Sequence, residues 1–148
     1  MNRIIKIILF TTNLLMGLVL SRFAISKLTG WEISVNAFIE MAKPLGIDPT
    51  FFRIFTGIVI LSIVIGYLTS ALFTLFQNKI ESSGKINYNV FVKLANLAGL
   101  LTMVGALLAE FFLRVQPKYL LVYIAIGVIL FSAINLYIIQ NKLITKKS

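Results

Sequence analysis

The sequence contains no cysteine and no histidine among its 148 residues, and little charge of either sign. The absence of these residue types excludes disulfides, thiolate nucleophiles and the usual ligand sets for haem, iron–sulfur clusters and zinc. The sequence also lacks a Walker loop, a dinucleotide fingerprint and a catalytic triad. We therefore expect that the chain is not an enzyme on its own, and that any redox role would need a borrowed cofactor.

Charged residues make up only 13% of the chain, whereas soluble domains typically carry about 25%. Hydrophobic residues make up 59%, and the mean hydropathy is +0.96. One soluble domain of this size could not bury so many apolar side chains, so the surplus must face lipid. The composition predicts an integral membrane protein whose first partner is the lipid bilayer.

The charge that remains is mostly positive, with 14 Lys and Arg residues against 5 Asp and Glu residues. In a soluble protein this excess would suggest a nucleic-acid partner. Here the basic residues fall at the ends of apolar runs, where they can meet lipid phosphates, so we expect no nucleic-acid binding.

Four apolar runs are long enough to cross a hydrocarbon core of about 30 Å, which takes about 20 helical residues. The predicted spans are 4–24, 51–76, 94–113 and 119–139. We therefore expect an all-α, polytopic four-helix bundle that forms a single membrane domain over 1–148, with a solvated turn at 77–89. Arg3 and Lys6 precede the first run as in a signal peptide. That run is too long and lacks a clear cleavage site, so a retained helix is favoured.

A short interfacial helix is predicted between the first two spans, because apolar residues recur there every four positions, at Ile33, Ala37, Met41 and Leu45. Trp31 at its start suits the headgroup level of a membrane. Pro44 and Gly46 would end this helix, and Asp48 with Pro49 would cap and open the second span.

The distribution of basic residues predicts the orientation, since cytoplasmic sides carry more Lys and Arg. In a four-span arrangement the side that holds both termini carries Arg3, Lys6, Lys79, Lys85, Lys93, Lys142, Lys146 and Lys147. The opposite side carries Arg22, Lys27, Lys43, Arg53, Arg114 and Lys118. This count predicts a multi-pass protein of the inner (plasma) membrane with both termini in the cytoplasm.

The third span carries a stripe of small residues that ends in an acid, at Ala95, Gly99, Thr102, Ala106 and Glu110. The small residues are best interpreted as helix packing. Glu110 needs a cation or water, because an acid inside a span costs a few kcal/mol. Arg22 or Arg53 could pair with it. The alternative is that Glu110 reaches water while the arginines reach lipid phosphates.

We predict an outer polar pocket at this level of the bundle, with a net positive charge. Its candidate ligand-binding residues are Arg22, Lys27, Arg53 and Glu110, with Trp31 as a roof. Gly17 and Gly57 would form its floor. Such a pocket suits an anionic or quinone-like headgroup.

Several short motifs lie in and between the first two spans: Gly-Leu-Val at 17–19, Phe23, Ser-Lys-Leu-Thr-Gly at 26–30, Leu-Gly-Ile at 45–47, Gly57, and Gly-Tyr-Leu-Thr at 66–69. In these motifs the chain resembles the DoxX-like family of small four-helix membrane proteins. The resemblance implies a link to quinone-coupled sulfur oxidation and membrane oxidoreductase assemblies, although many members have no assigned activity. This chain departs from the family in having Thr56 beside Arg53, where the family pattern would place an acid.

Three functions stay open at this point. The first is an accessory, non-catalytic DoxX-like protein whose outer polar cluster binds a lipid, quinone or partner headgroup. The second is a membrane subunit of a quinone-linked oxidoreductase, with a redox partner protein. The third is a small transporter or channel, for which the inner halves of the spans offer few polar residues beyond Asn13, Asn96 and Asn135.

Overall fold

The protein folds as a bundle of four long helices with two short ones at its ends. The computed structural model describes residues 2–84 and 87–145, apart from the side chains of residues 81, 83 and 142–145. Within this part of the chain the helices are α1 (Arg3–Thr29), α2 (Glu32–Ala42), α3 (Pro49–Leu75), α4 (Gln77–Ser83), α5 (Tyr88–Phe112) and α6 (Tyr119–Thr145).

Helices α1, α3, α5 and α6 are long and apolar enough to cross a membrane. The shortest of them, α5, has 25 residues and is about 38 Å long, against about 30 Å of hydrocarbon. The prediction of an all-α membrane bundle with four spans is confirmed. We call the end of the bundle where α1 and α5 finish the α2 end, and the opposite end the terminal end.

Local sequence signals set the boundaries near α2. Gly30 adopts a left-handed conformation (φ +73°) that ends α1, and its N–H donates to the carbonyl of Ser26. Helix α2 ends before Pro44, as predicted. Asp48 caps α3 through a 2.6 Å hydrogen bond from the N–H of Phe51, and Pro49 occupies the first turn of α3.

The spans are longer than the apolar runs that predicted them. Helix α1 continues to Thr29 and α5 begins at Tyr88, since helical backbone hydrogen bonding continues into the polar residues that flank the apolar runs. The predicted solvated turn over 77–89 is partly wrong, because α4 forms there and Ile80 packs against the apolar cluster of Leu9, Tyr88, Val92 and Ile139. Of the residues in the orientation count, Lys85, Lys146, Lys147 and the side chain of Lys142 lie outside the described residues.

Close approach of glycines joins the long helices. Helix α1 packs along α3, α5 packs along α6, and α3 also contacts α5. A Cβ added at Gly17 would lie 2.6 Å from Leu68, and a Cβ added at Gly99 would collide with the Tyr67 hydroxyl. The small residues at these two positions serve helix packing, as the sequence predicted.

A polar layer, which we call the asparagine layer, closes the terminal half of the bundle. The amide of Asn96 on α5 donates to Asn13 on α1 at 3.1 Å, and the amide of Asn135 on α6 donates to Asn96 at 2.9 Å. Thr12 donates to the Asn135 carbonyl oxygen at 2.9 Å. All three asparagines are fully buried. Three helices are therefore tied together by side-chain amides at one level.

Candidate functional site

A cavity of about 580 Å³ lies at the α2 end of the bundle. Helices α1 and α2 form one wall, α5 and α6 form the facing wall, and α3 contributes Phe52, Thr56 and Ile60. The volume falls within the range of about 300–1,000 Å³ that is usual for small-molecule sites. This cavity is therefore large enough for a small-molecule ligand, and it lies on the α2 side of the asparagine layer.

Small side chains leave this space open. They come from three helices, at Ala37, Gly105, Ala106, Ala109 and Ala125. Ile33, Ala106 and Leu120 also line the cavity and are themselves exposed on the surface of the bundle. The cavity is therefore open along the side of the bundle between α2 and the α5–α6 pair, at a level where α5 would lie in lipid.

Glu110 lies at the polar end of the cavity and is buried, with 4% of its surface exposed. Its Oε1 accepts a 2.8 Å hydrogen bond from Arg114 and a 2.6 Å hydrogen bond from the backbone N–H of Lys118. Arg114 lies four residues further along the chain, just beyond the end of α5. The carboxylate therefore has a cation and a backbone donor, as an acid in a membrane requires.

Arg114 also joins α2 to the connection between α5 and α6. Its Nε lies 3.4 Å from Oε2 of Glu40, an ion-pair contact that lacks hydrogen-bond alignment. The other oxygen of Glu40 accepts a 2.6 Å hydrogen bond from the N–H of Val115. This N–H and the Arg114 guanidinium lower the pKa of Glu40 below its ordinary value. One guanidinium thus bridges two carboxylates from different helices.

Lys27 reaches the cavity from the last turn of α1. Its Nζ lies 5.7 Å from the ring centre of Phe23 and 5.5 Å from that of Phe38, within the range of cation–π contacts. In the described part of the chain no hydrogen bond or ion pair within 4.0 Å involves this ammonium. Lys27 therefore lines the cavity beside two aromatic rings, and Glu110 acts on its ammonium electrostatically from beyond contact distance.

Arg22 and Trp31 lie together at the rim of the cavity. The Arg22 guanidinium carbon is 5.9 Å from the Trp31 ring centre, and both side chains line the cavity. Trp31 is 42% exposed, so its ring covers part of the space and meets the surroundings as well. This position agrees with a tryptophan at headgroup level.

Arg53 lies behind the α1 wall and does not line the cavity. Its guanidinium donates to the backbone carbonyl of Lys27 and lies against Gly30. The proposed pairing of Glu110 with Arg22 or Arg53 is wrong, because Arg114 occupies the carboxylate. The alternative in which Glu110 reaches water stays a prediction, and only 4% of this residue is exposed.

The predicted floor of the pocket differs from the observed one. A Cβ added at Gly57 would lie 2.9 Å from Leu28, so this glycine serves the contact between α1 and α3, as Gly17 does. The lower wall of the cavity contains larger apolar side chains, at Leu20, Ile60, Met103 and Val122. The reason is geometric: glycines allow two helices to touch, which removes space.

Sequence reasoning missed Arg114 and Glu40 as parts of this site. The separation of four residues between Glu110 and Arg114 was a usable signal, although Arg114 lies two residues beyond the end of α5. Glu40 gave no comparable signal, since its contacts lie 74 and 75 residues further along the chain.

The described residues contain no group of three or more acidic, His or Cys side chains that could hold a metal ion. Comparison with family models, with curated proteins and with solved structures gives no match for this chain. The resemblance to the DoxX-like family stays a prediction. The functional argument therefore depends on the cavity and its charges.

Proposed function

We propose that this integral membrane protein binds an amphiphilic ligand from the bilayer and acts as an accessory protein. The observation that carries the proposal is the cavity at the α2 end, whose apolar walls lead to the polar side chains of Lys27, Glu110 and Arg114. A lipid or a quinone likewise combines an apolar chain with a polar headgroup. Its chain would lie against the apolar wall, and its headgroup would lie at the polar end.

The sideways opening supports a route for such a ligand. If α5 crosses the membrane, an opening beside Ala106 faces hydrocarbon, and a ligand can enter without passing through water. A conducting path forms no part of the proposal, because the asparagine layer closes the bundle with amides that donate to one another.

We assign Glu110 a structural role within this function. Its Oε1 is held by two donors, so the carboxylate fixes the connection between α5 and α6 beside the cavity. The ligand-facing role falls to Lys27, with Arg22 and Trp31 at the rim. With these roles the protein binds its ligand without carrying out a reaction itself.

A quinone is a specific alternative occupant, which would make the protein a subunit of a quinone-linked oxidoreductase. Aromatic rings in the wall favour it, because Phe38 and Phe52 pack edge to face at 5.0 Å and both line the cavity. This alternative predicts that quinone copurifies with the protein and that a redox partner binds it.

We propose further that the chain is DoxX-like and lies in the inner membrane with both termini in the cytoplasm. The support for this affiliation is the resemblance itself, whose lysine-leucine pair lies at the cavity, where Lys27 lines the space and Leu28 lies against Gly57. A reporter fused to the C-terminus tests the orientation. A fluorescent protein that matures only in the cytoplasm should be bright there, and activity of a periplasmic phosphatase fusion would contradict it.

The binding proposal is tested by native mass spectrometry in mild detergent, with lipids and quinones extracted from the same sample. The variant Ala106→Phe places a ring in the cavity from an exposed position, and Ala98→Phe places it on the same helix away from the cavity. We expect one retained amphiphile in the wild type and in Ala98→Phe, and none in Ala106→Phe. Equal occupancy in all three proteins would contradict the proposal.

A further inference from the structure

The charge balance around the cavity identifies the class of headgroup that it takes, provided that the proposed function holds. Among the described residues its lining contains four basic side chains and one acidic side chain. The basic ones are Arg22, Lys27, Arg114 and Lys118, and the acid is Glu110. The cavity therefore has an excess of positive charge before a ligand enters.

The single acid attracts Lys27 electrostatically but makes no ion pair with it. Glu110 is engaged by Arg114 at 2.8 Å, and the second acid nearby, Glu40, also contacts Arg114. No carboxylate oxygen of the described residues comes within 4.0 Å of the Lys27 ammonium. Of the lining cations that have no anion of the described residues within 4.0 Å, Arg22 and Lys118 are exposed, whereas Lys27 is half-buried beside two aromatic rings.

An ammonium in such surroundings favours one kind of ligand. Phenylalanine faces attract a cation but accept no conventional hydrogen bond, so the N–H donors of Lys27 stay available. A charge near the membrane interior is costly unless it is paired. A cationic headgroup would meet an excess of like charge, and a neutral one would leave the ammonium without an anionic contact.

We infer that the ligand carries an oxyanion headgroup on an apolar chain, and that Lys27 is its counter-ion. The oxyanion lies at the Lys27 ammonium between Phe23 and Phe38, and the chain extends along the small residues of α5. A carboxylate of a fatty acid and a phosphate of a phospholipid share this chemistry, and the experiment below separates them.

Trp31 provides the readout, because it is the one tryptophan in the sequence and it lines the cavity. Bromine atoms on an acyl chain quench tryptophan fluorescence at short range. The purified protein in detergent is titrated at mildly alkaline pH with dibromostearate, with its neutral methyl ester, and with phosphatidylglycerol that carries dibrominated chains. We expect saturable quenching by one of the two anions at concentrations roughly tenfold or more below the ester.

Substitutions at Lys27 test whether the preference for an anionic ligand over the neutral ester depends on the charge of this residue. Lys27→Gln should reduce the affinity for the anion about tenfold or more and leave that for the ester unchanged, whereas Lys27→Arg should keep most of the preference. Lys43→Gln is the matched control, since Lys43 is an exposed lysine near the same end that does not line the cavity.

The outcomes separate this inference from the function on which it rests. Saturable quenching by the ester and the anions at equal concentrations, sensitive to Ala106→Phe, would overturn the anionic headgroup and keep the cavity as a binding site. An anion preference that survives Lys27→Gln would also overturn the role of Lys27. Quenching that does not saturate and is the same in Ala106→Phe would contradict the proposed function itself. Preference for dibromostearate indicates a fatty acid, and preference for the brominated phosphatidylglycerol indicates a phospholipid.

Discussion

Arg114 holds the polar end of the cavity together at the scale of single residues. Its side chain is 7% exposed, that of Glu110 is 5% exposed, and Glu40 reaches the same guanidinium from α2. A buried ion pair gives little net stabilisation over an apolar pair, but removing one partner leaves an uncompensated charge. The arrangement is therefore most sensitive to the loss of the arginine.

We predict that Arg114→Gln lowers the free energy of unfolding by about 3 kcal/mol, because Glu110 then stays buried beside a neutral amide. The double variant Arg114→Gln with Glu110→Gln should recover part of this loss, since it removes both charges. Unfolding in mixed micelles, followed by circular dichroism, measures both values. Wild-type stability in the single variant would contradict the ion pair.

Helix α2 is the element that covers the cavity. Its buried face consists of Ser34, Phe38, Met41 and Ala42, whereas Ile33 is exposed, so only part of the predicted apolar stripe packs against the bundle. Phe38 anchors this face on α3 through Phe52. Toward α5 and α6, Glu40 supplies the polar contacts that hold the helix.

We predict that the contacts of Glu40 with Arg114 and Val115, which keep α2 in place, weaken at acidic pH. Because the folded state lowers the pKa of this carboxyl, its contribution is fully present above the ordinary glutamate value and is lost as the pH falls through the folded value. Hydrogen exchange of the α2 amides should therefore accelerate at low pH relative to its intrinsic pH dependence.

In the variant Glu40→Gln the α2 amides should already exchange faster at neutral pH. Lowering the pH should then cause no additional acceleration beyond the intrinsic pH dependence. Glu32→Gln on the same helix is the control, since Glu32 is exposed. Identical α2 exchange in Glu40→Gln and the wild type would count against the contact.

Boundaries of the elements near α2 could be predicted from the sequence because their causes are local. Asp48 and Pro49 act within one turn of the helix that they start, and Pro44 cannot continue the helix that precedes it. The partners of the charged residues could not be predicted in the same way. Whether Arg53 faces the cavity or the backbone of Lys27 depends on how α1 and α3 are rotated against each other, which apolar composition leaves open.

The whole molecule divides into a closed terminal half and an open half that contains the cavity. Asn13, Asn96 and Asn135 were visible in the sequence as polar residues within apolar spans. Their meeting at one level required the packing of three helices, which residue types alone did not predict. This layer keeps the helices together while they separate around the cavity.

We predict that Asn96→Leu lowers the free energy of unfolding by about 1–2 kcal/mol, because the amide of Asn135 and the carbonyl oxygen of Asn13 lose their partner. Asn78→Leu on the exposed surface of α4 should have a much smaller effect. The same unfolding assay in mixed micelles measures both variants. A loss equal to that of the control would show that the layer adds nothing to stability.

The central claim is that the cavity at the α2 end holds an amphiphile from the membrane. An experimental structure of the protein in lipid nanodiscs prepared from its own membrane lipids tests it most directly. The account predicts elongated density along Ala106 and Ala109, with its polar end at the ammonium of Lys27. A cavity closed by inward movement of α2, or filled only with water, would contradict it.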